Sequence, residues 1–264
     1  MIKYKKQSYG VKQMKLTEHG LSSDKIKGTV SIALISDLHG CDVSEAIDIL
    51  KKASPDYIVA PGDIFEKLDG SCDKINENGF ALLREAARIA PTFYSTGNHE
   101  IGGSRSWATG LGLKRPARAE ISEASRERIR TCGVHILEDS YEIFNGIAFG
   151  GLSSGILNEE GRPELSWIDA FAAEDCPKIL LCHHPEYYEK YLSGYDIDLI
   201  VSGHAHGGQW QFFGRGIFSP GQGLFPKYTA GVYDKKLVVS RGMKKGRVIP
   251  RFFNPTEIVL IKIN

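Results

Sequence analysis

Residues 56–63 read DYIVAPGD, an apolar run that ends in a glycine and a carboxylate. Such a run predicts a short buried strand, and Gly62 predicts the turn that follows it. A Gly-Asp pair is by itself an ordinary turn signal. This pair matters because four other strand-like runs in the chain also end in residue types that bind metal ions.

Each of those four runs is followed within a few residues by aspartate, asparagine or histidine. They are 31–36 with Asp37 and His39, 92–95 with Asn98 and His99, 178–182 with His183, and 198–202 with His204 and His206. A carboxylate has two oxygens and can bridge two cations, so we expect Asp63 to be shared by two metal ions with the other ligands around them.

Helical spacing over residues 43–53 and 75–90 separates the first three strands, with Asp42 as the expected N-cap of the first helix. Strand, helix, strand, helix, strand is a βαβ pattern and predicts a parallel sheet with helices packed on it. In such sheets ligands bind beyond the carboxyl ends of the strands. The predicted strand ends that carry Asp37, Asp63 and Asn98 should therefore meet.

The second half predicts helices over 121–131, 163–173 and 185–192, and strands that include a type I′ hairpin at Asn145-Gly146. Late strands are expected over 236–240 and 257–262, and an early edge strand over 9–16 with a turn at 18–24. The fold class is therefore α/β with mixed α+β character. We expect a four-layer αββα sandwich, two mixed β-sheets packed face to face with flanking helices, in one domain spanning residues 1–264.

Composition excludes several classes of protein. Of the 264 residues, 42% are hydrophobic and 25% are charged, which is typical of a globular protein. The formal net charge of +1 gives no overall basic footprint, so we expect no sequence-specific nucleic-acid partner. No apolar run approaches the ~18 residues of a membrane span, and no cleavable signal pattern follows the basic start. We expect a cytoplasmic protein; the oligomeric state is left open.

The predicted ligands combine nitrogen and oxygen donors. A lone histidine is more often structural than a ligand, but six of the eight histidines crowd into the four strand ends. Mixed imidazole, carboxylate and amide ligands favour manganese, iron or zinc over an all-oxygen calcium site or a thiolate zinc site.

The ordered motifs resemble those of the calcineurin-like metallophosphoesterases. They are DLH at 37–39, GD at 62–63, GNHE at 97–100, the strand end at His183, and GHAH at 203–206. Each motif is weak alone, but the ordered set is specific and spans 37–206. Further stretches at 207–209, 220–228, 240–242 and 253–255 resemble a bacterial phosphodiesterase-like branch that includes membrane-linked and cell-wall members.

The resemblance implies a role for each matching position. It implies two metal ions, one bound by Asp37, His39 and His206, the other by Asn98, His183 and His204, with Asp63 bridging them. His99 would be the general acid and Glu100 would orient it. His184 is the alternative ligand at this strand end. We prefer His183, because Pro185 follows the pair as in the family. Glu66 stands where many members have aspartate, and we assign it no metal role.

The expected substrate is a phosphate ester, attacked in line by a metal-bound hydroxide while His99 protonates the leaving alkoxide. The tail resemblance favours a phosphodiesterase; a phosphomonoesterase and a non-catalytic binding module are the alternatives. Arg105, in the Gly/Ser-rich stretch 101–112, is a candidate substrate contact or part of a plain surface loop.

Three tail residues could tie the protein to a membrane. Leu224, Phe225 and Tyr228 could form an apolar rim that supports peripheral membrane association, or they could belong to the core. Lys227 and Arg241 could contact phosphate or have structural roles.

Overall fold

A computed structural model describes residues 13–68, 73–101, 121–154, 163–212, 215–245 and 251–264. Two six-stranded sheets dominate it. The first contains β1 (Lys15–Leu21), β2 (Val30–Leu34), β3 (Tyr57–Pro61), β4 (Thr92–Ser95), β5 (Val134–Ile136) and β16 (Glu257–Ile263), in the order β1-β16-β2-β3-β4-β5. Strands β2 to β5 are parallel, as the βαβ pattern predicts.

The second sheet is also mixed. It contains β6 (Ser140–Phe144), β7 (Ile147–Leu152), β8 (Lys178–Cys182), β9 (Leu199–Ser202), β14 (Gly231–Tyr233) and β15 (Leu237–Val239), in the order β14-β15-β9-β8-β7-β6. Two short hairpins lie between β9 and β14: β10 (Gln211–Phe212) with β11 (Arg215–Gly216), and β12 (Phe218–Ser219) with β13 (Gly223–Leu224).

Helices cover the outer faces of both sheets. They are α1 (Ser44–Ala53), α2 (Asp73–Ile89) and α3 (Glu123–Thr131) on the first sheet, and α4 (Ile168–Ala172) with a π-helical turn (Tyr188–Leu192) on the second. None of the helices in the described ranges is long and apolar enough to cross a membrane.

The strands alternate between two apolar layers. In β2, Ile32 and Leu34 face the layer between the sheets, whereas Ala33 faces the helices. This period of two is the side-chain repeat of a strand. Phe93 and Phe149 stack across the sheets with ring centroids 3.8 Å apart. The four-layer αββα sandwich predicted from the sequence is confirmed.

Local details differ from the predictions in two places. The turn predicted at 18–24 comes later, at residues 24–25, because β1 continues to Leu21 by pairing with β16; residues 9–12 of the predicted edge strand lie outside the described residues. Asp42 is not the N-cap of α1: Val43 holds that position, and Asp42 accepts the N–H of Ser44 instead. The hairpin at Asn145-Gly146 is confirmed, with φ of +49° and +77°.

Candidate metal centre

Carboxyl ends of strands from both sheets meet at one edge of the sandwich, and the predicted ligands lie there. Asp37, Asp63 and Asn98 follow β2, β3 and β4, and the histidines of the second sheet follow β8 and β9. A hydrogen bond joins the two sets, since Asp37 Oδ1 accepts the backbone N–H of His204 at 3.0 Å. Residues remote in sequence are therefore neighbours at this edge.

Among the described residues, four groups of three side chains bring ligand atoms within 4.8 Å of one another. Two of the groups, His39–Glu66–His99 and His184–Glu186–His204, include residues that were not predicted as ligands, and the other two consist only of predicted ligands. These latter two groups are Asp37, His39 and His206, and Asp63, His183 and His204. Asp63 lies between the groups, with Oδ2 3.4 Å from His39 Nε2 and 3.3 Å from His183 Nε2. Both distances exceed the usual range of about 2.7–3.2 Å for an N–H···O hydrogen bond. One carboxylate oxygen thus faces an imidazole of each group.

Four buried atoms at this edge have no hydrogen-bond partner within the described part of the chain. They are Asp37 Oδ2, His39 Nε2, Asn98 Oδ1 and His183 Nε2. Buried polar atoms nearly always have a partner, so four without one in neighbouring loops indicate that something else satisfies them. Carboxylate, amide and imidazole donors suit first-row divalent metals. The residues therefore fit a metal centre.

The backbone at these positions is unusual. Asp37, His39, Asp63, His204 and His206 all have φ between +48° and +64°. Side chains other than glycine rarely adopt this left-handed region, and each such residue costs about 1–3 kcal/mol. The structure accepts this strain at five of the seven predicted ligands, which is typical of a functional site rather than of a loop selected for stability.

Glycines at this edge mainly allow the backbone to lie close to the carboxylates of the predicted ligands. A Cβ on Gly97 would lie 2.2 Å from Asp63 Oδ1, and one on Gly203 would lie 2.5 Å from Asp37 Oδ2. Of the three glycines that precede the ligands, Gly62 alone has a positive φ, +88°. Larger residues at 97 or 203 would displace the carboxylates.

Glu100 does not orient His99, contrary to the prediction. Its buried carboxylate accepts backbone N–H groups of Asp63 (3.0 Å), Ile64 (2.8 Å), Phe65 (3.1 Å) and Gly97 (2.9 Å). Burial, together with the charge of Asp63, raises the pKa of Glu100 to about 7. Glu100 therefore fixes the turn that carries Asp63.

Glu66 makes the contact that was assigned to Glu100. Its two oxygens lie 2.9 Å from His39 Nδ1 and 2.8 Å from His99 Nδ1. Asn76 holds the backbone of Glu66 through two hydrogen bonds. Burial alone would raise the pKa of Glu66, but the two imidazoles outweigh it and lower that pKa to about 2. The sequence signal is the acidic residue three positions after Asp63.

Comparison with known proteins agrees with this geometry. The sequence profile described as "Calcineurin-like phosphoesterase" matches residues 30–208. The chain belongs to the calcineurin-like phosphoesterase family. Members of this family are metal-dependent phosphoesterases with a dinuclear metal centre.

Relatives of the family resemble most of the chain. An uncharacterized metallophosphoesterase of Aquifex aeolicus is 25% identical over 95% of this chain and 92% of its own length. The uncharacterized protein YpbG of Bacillus subtilis is 50% identical over 78% of this chain and 71% of its own length. A dimetal phosphatase from Danio rerio is a similar solved structure, with a TM-score of 0.44 and 14% identity over 81% of this chain and 87% of that one. The chain spans 65% of the length of two other bacterial relatives, both metallophosphoesterases of Helicobacter pylori.

Within this calcineurin-like site, the structure separates His183 from His184. His183 is fully buried, and its Nδ1 donates to the backbone carbonyl of Pro61 at 2.7 Å, which leaves Nε2 facing Asp63. His184 turns away: its Nε2 lies 2.6 Å from Ser154 Oγ and its Nδ1 3.3 Å from Glu186. The geometry favours His183 over its neighbour at the family's ligand position.

Burial affects the protonation of the site histidines. It lowers the pKa of His204 and His206 well below the ordinary value, so both imidazoles are neutral and have a free lone pair. Burial also opposes the charge on His99, but the carboxylates of Asp63 and Glu66 outweigh it and raise the pKa of His99. Asp63 Oδ1 accepts the backbone N–H of His99 at 2.9 Å. Burial likewise opposes the charge on His183, but Asp63 outweighs it and raises the pKa of His183 to about 10. Of these two histidines with a raised pKa, His183 is fully buried, whereas His99 is 21% exposed.

Basic residues near the family site divide into structural and site-facing side chains. Arg241 binds the buried carboxylate of Glu257 at 2.6 Å and is structural. Lys227 pairs with Glu189 on the surface. Arg251, which the sequence analysis missed, is mostly buried with Nη2 3.4 Å from His206 Nδ1, and burial lowers its pKa to about 10. Arg105 lies outside the described residues.

Proposed function

We propose that the protein is a dinuclear-metal-dependent phosphodiesterase whose single domain spans residues 1–264. The observation that carries this proposal is the position of Asp63 Oδ2 between His39 Nε2 and His183 Nε2, at 3.4 and 3.3 Å. A shared carboxylate offsets repulsion between two cations held close together. The unpartnered buried atoms of Asp37, Asn98 and His183 support the same arrangement.

Seven residues would hold the cations. Asp37, His39 and His206 would hold the first, Asn98, His183 and His204 the second, with Asp63 between them. Manganese, iron and zinc suit this set of donors. When bound, the cations supply Lewis-acid activation of water and neutralise charge on the phosphoryl oxygens.

The chain's own residues handle the proton of the leaving group. His99 is partly exposed at the site and its Nδ1 is held by Glu66, so its Nε2 is the nitrogen that points toward Asp63 and the reacting centre. Glu66 stabilises the protonated imidazole, which can then donate its proton to a leaving alkoxide. His99 is the general acid in this proposal, and Glu66 is the residue that positions it.

Resemblance of the tail motifs at 207–209 and 220–228 supports a phosphodiester rather than a phosphomonoester substrate. The test is hydrolysis of bis-p-nitrophenyl phosphate and p-nitrophenyl phosphate by chelator-treated protein reloaded with Mn²⁺, Zn²⁺ or Fe²⁺. We expect metal-dependent hydrolysis with the higher kcat/KM on the diester. A higher value on the monoester would favour the phosphomonoesterase. Metal binding without turnover of either compound would favour a binding module.

A further inference from the structure

The charge of the chain is unevenly distributed. Residues 199–256 contain nine lysines and arginines but one acidic residue, Asp234. The formal charge of this segment is therefore +8, against +1 for the entire chain. Lys227, Arg241 and Lys245 are paired with carboxylates from outside the segment, so its effective charge is smaller than the formal value. The remaining cations attract anionic surfaces over about one Debye length, which is ~8 Å at physiological salt.

The same segment exposes large apolar side chains. Leu224 and Phe225, which follow the β12–β13 turn, are 70% and 76% exposed, and Phe218 and Phe252 are 41% and 53% exposed. Tyr228, expected beside them, is instead buried in the outer core of the second sheet. We call Phe218, Leu224, Phe225 and Phe252 the apolar platform.

Backbone hydrogen bonds join the parts of the platform. Phe225 N–H donates to Ile217 at 2.9 Å, and Ile217 N–H donates to Trp210 at 3.0 Å. On the other side of Trp210, the N–H of Gln211 donates to Phe252 at 3.1 Å. These contacts place the segments carrying the platform in one continuous layer.

That layer is attached to the metal centre. Trp210 and Ile217 both donate to the carbonyl of Gly208, two residues after His206. Asn254 Nδ2 donates to the carbonyl of His206 itself at 2.6 Å. Whatever contacts the platform is therefore held beside the turn that carries a predicted ligand.

We propose that the apolar platform docks the protein reversibly on an anionic lipid surface. Phe218 and Leu224 lie directly opposite each other in the β12–β13 hairpin, and Phe225 follows Leu224. Exposed apolar side chains of this kind suit insertion at the boundary of headgroups and acyl chains, and neighbouring cations suit anionic headgroups. Arg215, on the neighbouring hairpin, is exposed, and Lys227, two residues after Phe225, has 62% of its side chain exposed. Nucleic acid, the other anionic partner, is recognised by aromatic faces that line a groove. Here aliphatic Leu224 pairs directly with Phe218 across a hairpin, and both side chains are exposed.

A consequence for substrate choice rests on the proposed phosphodiesterase function. A protein docked through this platform would meet phosphodiesters at the lipid surface rather than in bulk water. The largely exposed side chains of Leu224 and Phe225 would then increase turnover of a membrane-borne phosphodiester relative to a soluble one.

The test is co-sedimentation of the metal-loaded protein with vesicles of pure phosphatidylcholine or of phosphatidylcholine with 40% phosphatidylglycerol, at about 0.1 M salt. We expect at least tenfold tighter binding to the anionic vesicles. The double variant Leu224→Ser/Phe225→Ser should bind the anionic vesicles at least tenfold more weakly than the parent. The matched control is Ile143→Ser, which removes a 54% exposed apolar residue from edge strand β6 and should bind like the parent.

Several outcomes would overturn the proposal: no vesicle binding by the parent, equal binding by the double variant, or tighter binding to a single-stranded oligonucleotide than to vesicles. Hydrolysis of bis-p-nitrophenyl phosphate separates this proposal from the proposed function. The double variant should keep the parent rate on this soluble compound, which also shows that it folds. A parent that binds anionic vesicles but cleaves no diester would leave docking intact and refute the phosphodiesterase.

Discussion

The two halves of the metal centre hold their histidines by different means. On the first sheet, His39 and His99 both direct Nδ1 to Glu66, whose carboxylate is 26% exposed. On the second sheet, His183 is 0% exposed and directs Nδ1 to a backbone carbonyl. A carboxylate raises the basicity of an imidazole, whereas a carbonyl mainly fixes its orientation. The first half is suited to proton transfer and the second to rigid binding.

Asp63 is common to both halves, so its removal should have the largest effect. We expect Asp63→Ala to abolish hydrolysis of bis-p-nitrophenyl phosphate and to reduce bound metal, measured by elemental analysis of purified protein. Asp48→Ala, on the exposed face of α1, is the control and should behave as the parent. Full activity of a folded Asp63→Ala protein would refute the bridging role.

Variants of His99 and His183 should distinguish the two halves of the metal centre. His99→Ala is expected to lower kcat by roughly 10²–10⁴ with metal content intact, since it removes an acid and not a ligand. His183→Ala should lower metal content as well as kcat. The loss in His99→Ala should shrink on diesters with better leaving groups, which need less protonation. Loss of an ion from His99→Ala would place His99 among the ligands.

The Glu66→Gln variant tests, through the pH dependence of kcat, whether the first half of the metal centre is suited to proton transfer. The carboxylate of Glu66 helps to raise the pKa of His99, so its neutralisation should lower that pKa. Activity requires protonated His99 and falls as pH rises through this pKa. The alkaline limb of the kcat–pH profile should therefore move to lower pH in Glu66→Gln. Because Glu66 also contacts His39, elemental analysis should first show equal metal content in the parent and in Glu66→Gln. An unmoved limb would mean that Glu66 does not act through His99.

Glu186→Gln should have the smallest effect on activity and act on stability instead. Burial would raise the pKa of Glu186, but His184 outweighs it and lowers that pKa from 4.5 to about 2. The ionised carboxylate therefore stabilises the fold above pH 4.5, and this contribution is lost as pH falls toward 2. We expect a loss of about 1–3 kcal/mol in the free energy of unfolding at pH 7, smaller at pH 3.5.

Urea denaturation at the two pH values measures that loss. Glu189→Gln is the control, because its ion pair with Lys227 is solvent-exposed and should contribute little. An equal loss in both variants would show that burial of the Glu186–His184 pair has no energetic consequence.

The sequence was enough to place the seven predicted ligands at one edge, because parallel strands bring their carboxyl ends together whatever the loops do. The prediction gave Glu100 the contact with His99 that Glu66 makes, and it assigned Glu66 no metal role. Both are acidic residues near His99, and only the path of the turns decides which reaches the imidazole. Strain could not be predicted in the same way: Gly62 takes the positive φ that its turn predicts, but Asp37 and His204 take positive φ as well. No local propensity predicts that, because tertiary contacts impose it.

Strand β16 pairs with β2, the strand that leads into Asp37. During synthesis, β2 leaves the ribosome long before residues 257–263 exist, so its antiparallel edge stays unpaired until β16 has been made. All seven predicted ligands precede β16 in the sequence. The strand that leads into Asp37 would therefore reach its final pairing only after every loop that carries a predicted ligand has been synthesised.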